Sequence, residues 1–142
     1  MIKVIVSTDP RYEVNRGFVR DFAQEVIAKN KVKGKVELEI SIVGDRKMHE
    51  LNKEYRNIDS PTDVLAFPLE EVSFSPRFIQ GNSSTAKRGF VNFPDKYLRL
   101  GDVIISYPQA SMSAAERGVV IEEELKFLIE HGINHLLGIH HP

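Results

Sequence analysis

The sequence predicts an α+β domain built on a mostly parallel or mixed four-stranded sheet with helices packed on it. Three observations carry that expectation. Val36, Leu38, Ile40 and Ile42 alternate with Glu37, Glu39 and Ser41, the period of a strand with one wet face. Residues 15–29 instead set Phe18, Phe22 and Val26 beside Val19, Ala23 and Ile27 in adjoining apolar rows, the period of a helix that covers a sheet. Finally, such segments follow one another as strand, helix, strand, helix, strand, long loop, strand, helix, helix, with no internal repeat.

In chain order, Ile2 to Ser7 reads as the first strand and Asn15 to Lys29 as the first helix. After the alternating strand, Asp45 is expected to cap a helix running to Tyr55, with Met48, Leu51 and Tyr55 turned inward. Pro61 and Thr62 lead into a short strand from Val64 to Phe67, which Pro68 closes. Residues 70–100 contain Pro76, Pro94 and the Gly81 to Thr85 tract, so they read as a long loop or insertion, with an irregular strand possible from Phe90 to Tyr97. Val103-Ile104-Ile105 is a continuous apolar run, suited to a strand covered on both faces. Pro108 begins a small-residue helix that Gly118 ends. The last helix, from about Glu122 to Leu137, carries Leu125, Ile129, Ile133, Leu136 and Leu137 as its core stripe.

The 142 residues suit one domain, 1–142, with a core of its own. No apolar run reaches the ~20 residues a membrane helix needs, and the amino terminus reads as a strand, not a signal, so a cytoplasmic location is expected. The absence of cysteine excludes a disulfide scaffold and thiolate metal ligands. A net charge of −1 gives no global attraction to polyanions, so any such partner must meet a local patch. Arg77, Lys87, Arg88, Lys96 and Arg99 form one candidate.

Chemistry concentrates at the carboxyl end, where four of the five histidines fall within residues 131–141. His131 and His135 are spaced to stack on one face of a helix. Gly138 offers a left-handed stop, after which the reversed chain can bring His141, or less simply His140, back toward the same point. Three imidazoles and one open position are the coordination of a catalytic zinc ion. The spacing is that of the extended metalloprotease motif, but the general-base glutamate of that motif is replaced by Gly132, which weighs against a peptidase. Glu124 is a candidate replacement base, or an acceptor that orients a ligand or holds a cation. Phosphodiester hydrolysis also needs a cation for phosphate, and Arg56 is the choice. His49 reads as an ordinary exposed side chain.

Separate stretches then agree with one family. Leu51-Asn52, Tyr55-Arg56, Asp59, Pro61-Thr62-Asp63-Val64-Leu65, Phe67-Pro68, Gly101-Asp102-Val103, Ile105, Glu124, His131-Gly132, His135-Leu136, Gly138 and His141 resemble the YbeY family of bacterial metallo-endoribonucleases. The resemblance covers the C-terminal two thirds. It implies a minimal zinc-protease-like fold and one zinc ion held by His131, His135 and His141, with Arg56 important for activity. It further implies cleavage of single-stranded RNA, especially the 3′ end of small-subunit ribosomal RNA, and a part in ribosome quality control. RNA and the small ribosomal subunit are the expected partners, with neither DNA nor membrane. The family usually has Asp where this chain has His140. A competing expectation is a ribosome-assembly binding factor whose metal is structural; a peptidase-like hydrolase is third.

Overall fold

The computed structural model describes residues 1–32, 34–68 and 98–138. Its elements are β1 (Ile2–Thr8), α1 (Arg16–Lys29), β2 (Val36–Val43), α2 (Asp45–Arg56), β3 (Val64–Pro68), β4 (Leu98–Ser106), α3 (Tyr107–Arg117) and α4 (Ile121–Leu136). The strands form one sheet in the order β1-β2-β4-β3. Neighbours β1, β2 and β4 run parallel, whereas β3 is antiparallel to β4, so the sheet is mixed. The expected irregular strand from Phe90 to Tyr97, and residues 70–97 of the expected loop, lie outside the described residues.

Each periodicity buries its apolar side against the same layer. Val19, Ala23, Val26 and Ile27 of α1 and Leu125, Leu128, Ile129, Ile133 and Leu136 of α4 join Val36, Leu38, Ile40, Ile42, Val103 and Ile105 of the sheet in a single core. Burial of each such side chain stabilises by about 1.5–3 kcal/mol. On the opposite face Arg99 sits 3.8 Å from Glu37 and 3.7 Å from Glu39 and Asp102. That arrangement removes Arg99 from the basic patch expected of residues 77–99, because its charge is already met by three carboxylates. The other four basic residues of that patch lie outside the described residues.

Three local expectations are corrected. Asp45 does not cap α2: Gly44 occupies the cap position without a side-chain bond, and Asp45 begins the helix. Its carboxylate instead accepts from the Ser106 hydroxyl at 2.9 Å and the Gln109 amide at 3.1 Å, tying α2 to the start of α3. Tyr55 is not inward but 60% exposed, because the buried line of α2 is Met48 and Asn52, one turn apart. The Val103-Ile104-Ile105 run is fully covered on one face only, Ile104 being half-buried.

The junction of β3, β4 and α4 is the tightest point of the fold. The ladder between β2 and β4 shifts register after Glu37, so that Leu38 pairs with Gly101 rather than with Leu100. Gly101 takes φ +143°, and a Cβ there would lie 2.2 Å from the Phe67 carbonyl oxygen and 3.0 Å from Leu136 Cδ2. Neither the dihedral nor the space admits a side chain. Gly101→Ala is therefore expected to lower unfolding free energy by at least about 2 kcal/mol, strain and clash adding together. Chemical denaturation checks this, and an unchanged midpoint would contradict the constraint.

Candidate active site

The site is assembled from the end of α2, the strand β3 and the end of α4. Asn52, 1% exposed, donates through Nδ2 to the Ser60 carbonyl at 2.8 Å, and its own carbonyl accepts from the Ile58 amide at 3.3 Å. Asn57 closes the helix in the left-handed conformation, φ 59°. The turn so formed places Arg56, the last residue of α2, beside β3. His49 reinforces it, with Nε2 2.6 Å from Asp59 Oδ1, which is more than the plain exposed side chain expected. That bond, aided by the Lys53 and His49 charges, holds the Asp59 carboxyl below its ordinary 3.8. A depressed carboxylate favours the fold above the ordinary value, and the benefit is lost as pH falls through the folded value. An NMR titration should accordingly find Asp59 below 3.8, and shifted upward toward it in His49→Ala, where the Lys53 charge still acts.

β3 forms the floor. Val64, Leu65, Ala66 and Phe67 line a pocket of about 400 Å³ together with Arg56, His131, Gly132 and His135. Tyr55 packs edge-on against Phe67, centroids 5.2 Å apart at 63°, and so flanks the same wall. The structure thus brings together Arg56, His131 and His135, from helices far apart in the sequence. Both imidazoles are exposed, on one face of α4, while Gly132 between them is buried. A Cβ on Gly132 would lie 2.7 Å from Val103 Cγ1 and 3.1 Å from Cγ2. The glycine that replaces the metalloprotease glutamate is therefore the point where α4 presses onto β4.

After Leu136 the helix stops as expected. The Leu137 amide bonds the Ile133 carbonyl at 2.9 Å, the Gly138 amide bonds that of His135 at 3.1 Å, and Gly138 adopts φ +75°. His140 and His141 lie outside the described residues. Among the described residues no group of three or more metal-ligating side chains gathers, so the donors placed are His131 and His135. These fit a transition-metal ion by chemistry and spacing: two imidazoles at consecutive turns of one helix face, lining one pocket.

Glu124 does not line this pocket. It is 1% exposed, its Oε1 3.0 Å from Arg117 Nη1. The contact is one of charge, not an aligned hydrogen bond, since the same oxygen is buried without a hydrogen-bond partner. What its carboxylate meets there is the Arg117 guanidinium. Sequence reasoning passed over two features: the pocket wall formed by Val64 to Phe67, and Phe127. The latter's signal was its position one turn before His131, an apolar residue outside the core stripe.

A mixed sheet under helices, with paired imidazoles and an arginine lining one pocket, makes this an α+β domain with a candidate metal-hydrolase site. The family model for endoribonuclease YbeY matches residues 6–142. Proteins named endoribonuclease YbeY from Dehalococcoides mccartyi and Halalkalibacterium halodurans are 39% and 36% identical to the chain. Each match covers 99% of this chain, and 83% and 82% of the relative respectively. The solution structure of TM1509 from Thermotoga maritima, 26% identical, superposes with a TM-score of 0.54 over 100% of this chain and 75% of that one. The chain belongs to the endoribonuclease YbeY family, and with it to the hydrolases.

Gly132→Ala tests the pressed contact. Helix propensity alone would favour alanine by about 1 kcal/mol. The clash with a stiff, buried Val103 is expected to reverse that sign, for a net loss of about 1–3 kcal/mol. Adding Val103→Ala should make the second substitution cost less in the Gly132→Ala background than alone; additive losses would contradict the contact.

Proposed function

We propose that this chain is a zinc-dependent endoribonuclease that cleaves single-stranded RNA in the cytoplasm. Its substrate on this reading is the 3′ end of small-subunit ribosomal RNA, during maturation and quality control of the small ribosomal subunit. The observation that carries the reading is the meeting of Arg56, His131 and His135 around one pocket. His131 and His135, joined by His141, would hold the ion. When bound, zinc supplies Lewis acidity and brings water ionisation near neutral pH.

The chain's own groups do the rest. Arg56 offers a planar fork that can hold two oxygens of one phosphate, and its charge opposes the negative charge that builds during phosphodiester cleavage. Val64, Leu65 and Ala66 line the same pocket and give the strand wall beside Arg56 an apolar part. No carboxylate stands directly after His131, and the Val103 contact leaves no room for one at that position of the helix, which speaks against a peptidase. Glu124 acts on this reading at a distance, as a positioning residue through Arg117.

Two variants separate the roles. His131→Ala should lose both metal, by elemental analysis, and RNA cleavage. Arg56→Ala should keep the metal yet cleave single-stranded RNA about 10²–10³-fold more slowly. Cleavage by metal-free His131→Ala would overturn the proposal. Parent protein that holds zinc and binds the small subunit but cuts no RNA would instead establish an assembly factor with a structural metal.

A further inference from the structure

Beside the pocket, α4 carries a second construction that metal binding does not use. Phe127 lies one turn before His131 and is 50% exposed. Its ring runs nearly parallel to that imidazole, at 21° and 6.2 Å between centroids. The Arg117 guanidinium lies over the Phe127 ring at 4.7 Å. Arg117 is held there from beneath by Glu124, whose carboxylate is almost wholly buried.

A single exposed phenylalanine is ordinary on a protein surface. Burying a carboxylate to fix the cation that overlies it is not, because such a charge is costly to desolvate unless it is matched. The result is a run of planar groups, His131, Phe127 and Arg117, leading outward from the pocket. Since Glu124 already offsets its charge, Arg117 contributes a flat, weakly hydrated surface more than a free positive charge. Such surfaces take up unpaired nucleobases, which stack on aromatic rings and guanidinium planes with little regard to sequence.

We infer that the outer plane of Arg117, backed by Phe127 and anchored by buried Glu124, forms a stacking subsite for an unpaired base of the RNA strand next to the phosphate held at Arg56. The inference rests on the proposed endoribonuclease reading and gives it a physical source of preference for single strands. A base inside a duplex has both faces occupied and cannot enter the stack.

The test measures binding of a fluorescein-labelled single-stranded RNA to the parent, Phe127→Ala, Phe127→Trp and Arg56→Ala proteins across a salt series. Arg117 is left unvaried, because its loss would strand the Glu124 charge. Phe127→Ala should weaken binding roughly five- to a hundredfold, the range of one lost base stack. Its salt slope should match the parent's, and Phe127→Trp should restore affinity. Arg56→Ala, by contrast, should lower the slope by about one, as for a lost phosphate contact. One abasic position in the RNA should weaken the parent by a similar factor and Phe127→Ala no further. Metal content of Phe127→Ala should equal the parent's. Parent-like binding by Phe127→Ala, a lowered salt slope, or weakening only alongside metal loss would overturn the subsite. Absence of RNA binding by the parent would overturn the endoribonuclease reading with it.

Discussion

The contact between Gly132 and Val103 governs the rest of this structure. Because Gly132 has no side chain, α4 approaches β4 until the Val103 methyl groups occupy the space where a Cβ would stand. Ile129, Ile133 and Leu136 are thereby driven into the core, and His131, just before the glycine, and His135, three residues after it, line the pocket with β3. The histidines owe their direction to helix periodicity, and their height above the sheet to that one missing methyl group. Any larger residue would lift the helix and open the pocket.

A second constraint works on the facing wall. Asn52 and Asn57 end α2 so abruptly that Arg56 stops beside the strand it precedes, and Gly101 lets β3 and β4 pair where Leu136 also arrives. Site and scaffold are therefore the same residues to an unusual degree. The stretches that resemble a known family are the end of α2 and the turn after it, the strand β3, the Gly101 segment of β4, and Glu124 with the end of α4.

Much of this was legible beforehand. Alternation from Val36 to Ile42 and the paired rows of α1 named a one-sided sheet and its cover, since both signals arise from burial on a single face. Spacing of His131 and His135 likewise required only helix geometry. Errors arose where a tertiary partner decided the outcome. Asp45 was drawn from its own helix end by Ser106 and Gln109, and Tyr55 lost its inward place to Asn52, whose amide had a backbone carbonyl to satisfy. Gly132 could be noticed as a missing carboxylate, but its reason, Val103, sits on another element. Phe127 and Arg117 come together only because α3 and α4 pack, so no pattern local to either helix reveals the pair.

The central claim is that His131 and His135 belong to one metal centre that keeps a position open to solvent. X-ray absorption at the zinc edge of the zinc-loaded protein tests it most directly. The account predicts three imidazole nitrogens and one exchangeable oxygen, with the imidazole count falling when His131 is replaced by Ala. A shell of four protein ligands with no exchangeable oxygen, or an unchanged imidazole count in that variant, would contradict it.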